Sequence, residues 1–187
     1  MTQNDVLEFW FHGERNLFRA DPWFRKSDAF DADIRARFAP LAEATSNGAH
    51  ADWAATPQGT IALLLTLDQF PRNLHRNSPR AFAADARARA IARAALAHGI
   101  EADLTKVERA FLYLPFEHSE CLFDQDLAVH LYATIADDPQ MPTVHDYAAR
   151  HRAVIRQFAR FPHRNAALGR ASTPEEIDYL AQPGSGF

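Results

Sequence analysis

Apolar residues recur along this chain at the three- and four-residue spacing of an α-helix, and no segment keeps the two-residue alternation of a strand. Val6, Leu7, Trp10 and Phe11 form one such stripe, predicting a short first helix. Phe30, Ile34, Phe38 and Leu41 form another, predicting a helix from about 28 to 45. Pro40 is expected to bend or shorten its last turn, and Asn47-Gly48 to close it. Thr56-Pro57 and Ser78-Pro79 each place a hydroxyl cap before a proline at the first helical position. Thr105 with Glu108, and Thr173 with Glu176, read as capping boxes. Helices are therefore expected at about 57–69, 79–98, 105–113 and 173–181, with His98-Gly99 a natural stop. Pro115 is expected to open a helix over 115–136, and Pro142-Thr143 one over 143–160 that Phe161-Pro162 ends. Such helices with short connections predict an all-α fold of antiparallel hairpins.

The 187 residues suit one domain, and no linker or low-complexity stretch divides them, so residues 1–187 are read as a single helical domain. Fourteen phenylalanines against seven glycines also favour long regular elements. With 47% hydrophobic and 24% charged residues the composition is that of a globular protein rather than a disordered one. The net charge of -4 argues against broad nucleic-acid binding. The most apolar run, Ile61 to Leu67, falls far short of the ~20 residues a membrane span needs. One cysteine, Cys121, precludes an internal disulfide and fits a reducing compartment. Met1-Thr2-Gln3-Asn4-Asp5 shows no secretory pattern, so a cytoplasmic location is expected.

Chemistry-bearing residues concentrate in three segments. In Leu67-Asp68-Gln69-Phe70-Pro71-Arg72-Asn73, Asp68 shares a helical face with Ile61, Leu64 and Leu65. A carboxylate drawn toward a core must find a cation, serve a cap or take up a proton. From Arg109 to Glu120, the residues Glu117, His118 and Glu120 fall in the first turns of the helix expected after Pro115. Two readings stay open there: acids favoured by the helix macrodipole, or a polar pocket at the helix start with a titrating His118. In the third segment His151 lies on the apolar stripe of Tyr147, Val154, Ile155 and Phe158. Arg160, His163 and Arg164 gather at the helix exit, where they suit either the last carbonyls or an anionic ligand. Gln69-Phe70-Pro71-Arg72-Asn73 is also faintly echoed by Arg160-Phe161-Pro162-His163-Arg164-Asn165. Nine histidines invite a metal, but no His-Glu-x-x-His or Glu-x-x-His spacing occurs, so neither metal nor cofactor is expected. Nucleophile elbows, phosphate loops and dinucleotide fingerprints are missing as well.

As a set, Leu67–Asn73, Tyr113-Leu114-Pro115-Phe116-Glu117-His118-Ser119-Glu120 and Arg160–Asn165 resemble the motifs of an uncharacterised bacterial family, domain of unknown function 924. The opening Val6-Leu7-Glu8-Phe9-Trp10-Phe11 and the closing Leu168-Gly169-Arg170 with Ser172-Thr173-Pro174-Glu175-Glu176 are similar too. Ala159 departs from the pattern, which often has glycine there. The resemblance implies a tetratricopeptide-like α/α fold of about eight to ten helices, and no established activity, cofactor or catalytic residue. From the residues, the expected function is a binding or scaffold domain for a small anionic ligand or peptide. Asp68, Arg72, Arg109, Glu117, His118, Glu120, Arg160, His163 and Arg164 are the candidates expected to converge on its pocket. The alternative is a hydrolase or lyase in which His118 or His163 works with Glu117 or Glu120 as acid and base. The oligomeric state is left open.

Overall fold

The computed structural model describes residues 1–186, and among these there is no strand. Helices α1 (Gln3–Phe11), α2 (Ala20–Trp23) and α3 (Asp28–Ser46) lead into α4 (Pro57–Leu64), a π-helical turn (Leu65–Gln69) and α5 (Phe70–Leu74). Then follow α6 (Asp85–Ala97), α7 (Lys106–Glu117), α8 (Leu122–Ala133), α9 (Val144–Phe158) and α10 (Pro174–Leu180). Counting the unbroken run 57–74 as one gives nine helices among the described residues. Short 3-10 turns fill most of the connections. The apolar stripes named from the sequence are the buried ones. Val6, Leu7, Trp10 and Phe11 of α1, and Phe30, Ile34, Phe38 and Leu41 of α3, all lie in the core.

The centre of that core is aromatic. Phe9, Trp10, Phe30, Phe38, Phe70 and Phe111 pack at offset-stacked and edge-to-face distances, for example 5.6 Å between Trp10 and Phe111. Trp23 stacks on Trp10 at 6.1 Å and donates its indole N–H to the Trp10 carbonyl. α4 sits in the middle, touching α1, α6 and α7, while α7, α8 and α9 pack in succession. A smaller apolar cluster of Val154, Ile155 and Phe161 lies at the far end of α9.

Capping chemistry sets many boundaries as expected. Thr56 accepts from the Gly59 N–H, and the Thr105–Glu108 and Thr173–Glu176 boxes are both closed. Three expectations fail. Ser78-Pro79 starts only a 3-10 turn (Pro79–Ala81), and the long helix begins at Asp85. The helix expected to stop near 69 runs on to Leu74 by widening into the π-turn. That extra residue per turn accommodates Pro71, which has no N–H and would otherwise clash with the turn before it. α3 is not shortened at Pro40 and closes at Asn47 as expected. Above all, Pro115 opens no helix: it lies inside α7, which ends at Glu117. The stop is made by Gln125 of α8, whose buried side-chain amide donates to the carbonyls of Glu117 (2.6 Å) and Ser119 (2.7 Å).

Ala159, the C-cap of α9, has φ 57°, in the left-handed region. This is the physical reason a glycine suits the position. Ala159→Gly is expected to raise stability by about 0.5–1 kcal/mol, because the left-handed penalty of about 1–2 kcal/mol exceeds glycine's extra loss of freedom. A urea melt whose midpoint fails to rise would contradict this.

Candidate functional site

Four candidates from three separate segments meet where the π-turn, the end of α7 and the segment after α9 come together. Asp68, in the π-turn, is 2% exposed. Its carboxylate lies 2.8 Å from His118 Nδ1, 3.2 Å from Arg72 Nη1 and 2.6 Å from the Gln69 amide. Arg72 turns its two outer nitrogens onto Asp85, each at 3.0 Å, and also donates to the Asp68 carbonyl. Arg164 approaches the same Asp85 at 3.6 Å. Asp85, which no sequence signal singled out, is thus the shared counter-ion of two arginines.

Burial pushes the Asp68 carboxyl up, but Arg72 and His118 more than reverse it, so it stays ionised. Burial also pushes His118 down, and Arg72 adds to this against the pull of Asp68, which leaves a neutral imidazole at neutral pH. Facing an ionised carboxylate, Nδ1 carries the ring hydrogen and donates it. Nε2 is then a lone-pair acceptor, and it makes no hydrogen bond to any described residue.

Arg164 is the unusual member. It is 6% exposed, and its guanidinium lies over the rings of Phe161 (4.4 Å) and Phe82 (4.7 Å). Its Nε is buried without a hydrogen-bond partner, and its Nη1 comes no nearer to the Asp85 carboxylate than 3.6 Å. Burial, with Arg72 nearby, lowers its pKa to about 10, so it remains a cation at neutral pH. Every other buried or half-buried arginine in the vicinity has its fork filled. Arg170 grips Glu120 at 2.7 and 2.9 Å, and Arg160 grips Glu176 at 2.6 and 2.8 Å.

His163 adjoins the group through Phe161, ring to ring at 5.5 Å. Burial, then Arg164 and the two other histidines, lowers its pKa to about 3. The unfolded chain would take up a proton near pH 6.5, the ordinary value. The contribution of His163 is therefore complete above that pH and is lost as pH falls toward 3. His163→Gln is expected to lose less stability than the wild type between about pH 7 and pH 5. Equal losses in urea melts at the two pH values would refute this.

The other candidates go elsewhere. Glu117 is buried at the C-terminal end of α7, so the expected favourable N-terminal dipole is replaced by an opposing one. It is held instead by His151 Nδ1 at 3.0 Å, and that histidine is buried as the apolar stripe predicted. Glu120 sits in the α7–α8 connection and not in the first turns of a helix. It accepts from Arg170 and from the Phe161 N–H. Arg160 belongs to the Glu176 clamp and lines an open groove of about 520 Å³ with Gln157, Phe158 and Glu175. A second groove of about 410 Å³ borders Asp31, Asn73 and Arg76, and Arg164 and His118 line neither. Arg109 donates to the Leu104 carbonyl and does not join the cluster. The pocket expected at a helix start after Pro115 is accordingly replaced by a cluster around Asp68, Arg72, His118 and Arg164. No group of three or more His, Cys, Asp or Glu among the described residues could hold a metal ion.

The sequence echo acquires a meaning here. Phe70 and Phe161 are fully buried, and Arg72 and Arg164 both turn to Asp85. Asn73 and Asn165 both donate to a buried carboxylate, Asp31 at 2.7 Å and Glu176 at 3.1 Å. Each of those carboxylates is also forked by an arginine, Arg76 or Arg160.

Residues 6–184 match the family described as a bacterial protein of unknown function (DUF924). The chain belongs to this family. A solved structure of a protein of unknown function from Agrobacterium tumefaciens is similar at 34% identity, with 96% of each chain covered and a TM-score of 0.86. No curated protein matches the chain. No helix among the described residues is long and apolar enough to cross a membrane.

Proposed function

We propose that this DUF924 chain is a cytoplasmic helical binding protein, of tetratricopeptide-like build and a single domain, that holds a small anionic group against Arg164 and Arg72 beside His118. The anion is a phosphate or carboxylate, free or carried on a peptide. The observation that supports it best is Arg164, a buried cation whose Nε has no hydrogen-bond partner and whose ion pair with Asp85 is long, at 3.6 Å. Burying a charge that shares its counter-ion with a second arginine is expensive, and a bound anion would offset that cost with charge-assisted hydrogen bonds. Access is through the least buried edge of the cluster, where the side chains of Arg72 and His118 are 20% and 15% exposed.

The test is thermal unfolding of the protein against a panel of orthophosphate and small carboxylates. Saturation at about a hundred times Kd adds roughly 2.7 kcal/mol to native stability. An upward shift in Tm that Arg164→Met abolishes supports the proposal; no shift across the panel overturns it. A hydrolase or lyase is the second reading, and the Asp68–His118 pair favours it over the Glu117 and Glu120 pairings. An oriented neutral imidazole with a free Nε2 is suited to general-base work. Release of nitrophenol from simple nitrophenyl esters, lost in His118→Asn, would favour that reading over binding alone.

A further inference from the structure

The arginines and the histidine of this cluster offer a ligand opposite things. Arg164 and Arg72 present only N–H donors. His118 is neutral at neutral pH and has committed its one ring hydrogen, on Nδ1, to Asp68 at 2.8 Å, so its remaining nitrogen, Nε2, can only accept. That tautomer is fixed, because Asp68 is also tied to Arg72 and Gln69 and has no hydrogen to give. A fully ionised anion would satisfy the guanidinium and set an oxygen lone pair against the lone pair of Nε2. An anion that also carries an O–H would satisfy both sides.

We propose that the site selects anions bearing a hydroxyl donor, with the anionic oxygens on Arg164 and the O–H donated to His118 Nε2. Two sources share that chemistry: orthophosphate in its monohydrogen form, and a small carboxylate with a hydroxyl on the neighbouring carbon. The inference rests on the anion-binding reading above and adds the ligand's second requirement. Asp68 acts as a positioning residue, holding the ring so that its acceptor edge is the one left open. A donor that meets no acceptor, or an acceptor that meets no donor, is penalised when water is excluded, so selectivity follows from the pairing itself.

Matched probes test this in calorimetric titrations at neutral pH. Orthophosphate is set against sulfate, a tetrahedral anion of the same charge without an O–H, and 2-hydroxypropionate against propionate. The hydroxyl-bearing member of at least one pair is expected to bind about tenfold tighter or more. The pair that discriminates identifies the source. His118→Asn, whose shorter amide can still donate to Asp68, is expected to bring the ratio to about one while binding stays dependent on Arg164. His118→Phe serves as a second variant, and urea melts of each report whether it folds. Equal, Arg164-dependent binding within both pairs would overturn the selectivity and leave the anion-binding reading standing. A preference that persists in both folded His118 variants would overturn the role of His118. Absence of binding by all four probes would overturn the underlying reading and this one with it.

Discussion

Glu176→Ala is expected to cost about 2–3 kcal/mol of stability, from lost hydrogen bonds to a carboxylate and a lost helix cap. Glu176 is 2% exposed and accepts four hydrogen bonds: from Arg160 Nε and Nη2, from the Asn165 amide at 3.1 Å and from the Thr173 N–H at 2.8 Å. Removing it leaves Arg160 with the Ala171 carbonyl, leaves the Asn165 amide N–H with Ser172 while its oxygen keeps Arg170, and opens the capping box of α10. Glu176→Gln should cost less, since its amide oxygen can still accept. The fork of Arg160, working against burial, lowers the Glu176 pKa to about 2. An unfolded glutamate titrates near 4.3. Its contribution is therefore fully present above that value and is lost as pH falls toward 2. Urea melts should show the gap between wild type and Glu176→Ala narrowing over that window. A loss below about 1 kcal/mol at neutral pH would mean the clamp is no stronger than an exposed surface pair.

The helical architecture was legible in the sequence because its determinants are local. Thr105 with Glu108 and Thr173 with Glu176 each settle a helix start within four residues, and the stripe of Phe30, Ile34, Phe38 and Leu41 names a buried face. The largest failure has one cause, a distant residue overruling a local signal. Pro115 reads as a helix start, yet almost every residue of α7 around it is buried, and that packing outweighs the lost hydrogen bond. The true end of α7 is written by Gln125, in the next helix. The site was half legible. Asp68, Arg72, His118 and Arg164 stood out as polar groups within apolar or motif-like segments. Their pairing did not, because Asp68 and His118 lie 50 positions apart. Asp85 was missed since an acid in a first helical turn looks like an ordinary dipole partner. The echo of Phe-Pro and Arg-Asn could have pointed further: two arginines in equivalent places are candidates for one counter-ion.

Arg164 gives the second large effect, and it has the opposite sign. A buried ion that is poorly paired carries a desolvation cost which neutral packing does not, and replacing such ions with apolar residues of similar size is often stabilising by about 1–4 kcal/mol. Arg164→Met removes the charge while Asp85 keeps both hydrogen bonds from Arg72. The thioether would occupy the space between Phe82 and Phe161, where sulfur–aromatic contact replaces part of the lost cation–π attraction. A residue retained at such a cost to stability is expected where it serves a ligand.

The most direct test is therefore the unfolding free energy of wild type and Arg164→Met, measured by urea titration in a buffer free of phosphate, sulfate and carboxylates. The variant should be the more stable of the two, by about 1 kcal/mol or more. A variant less stable than the wild type under those conditions would show that Arg164 is satisfied within the fold and is not held in reserve for an anion.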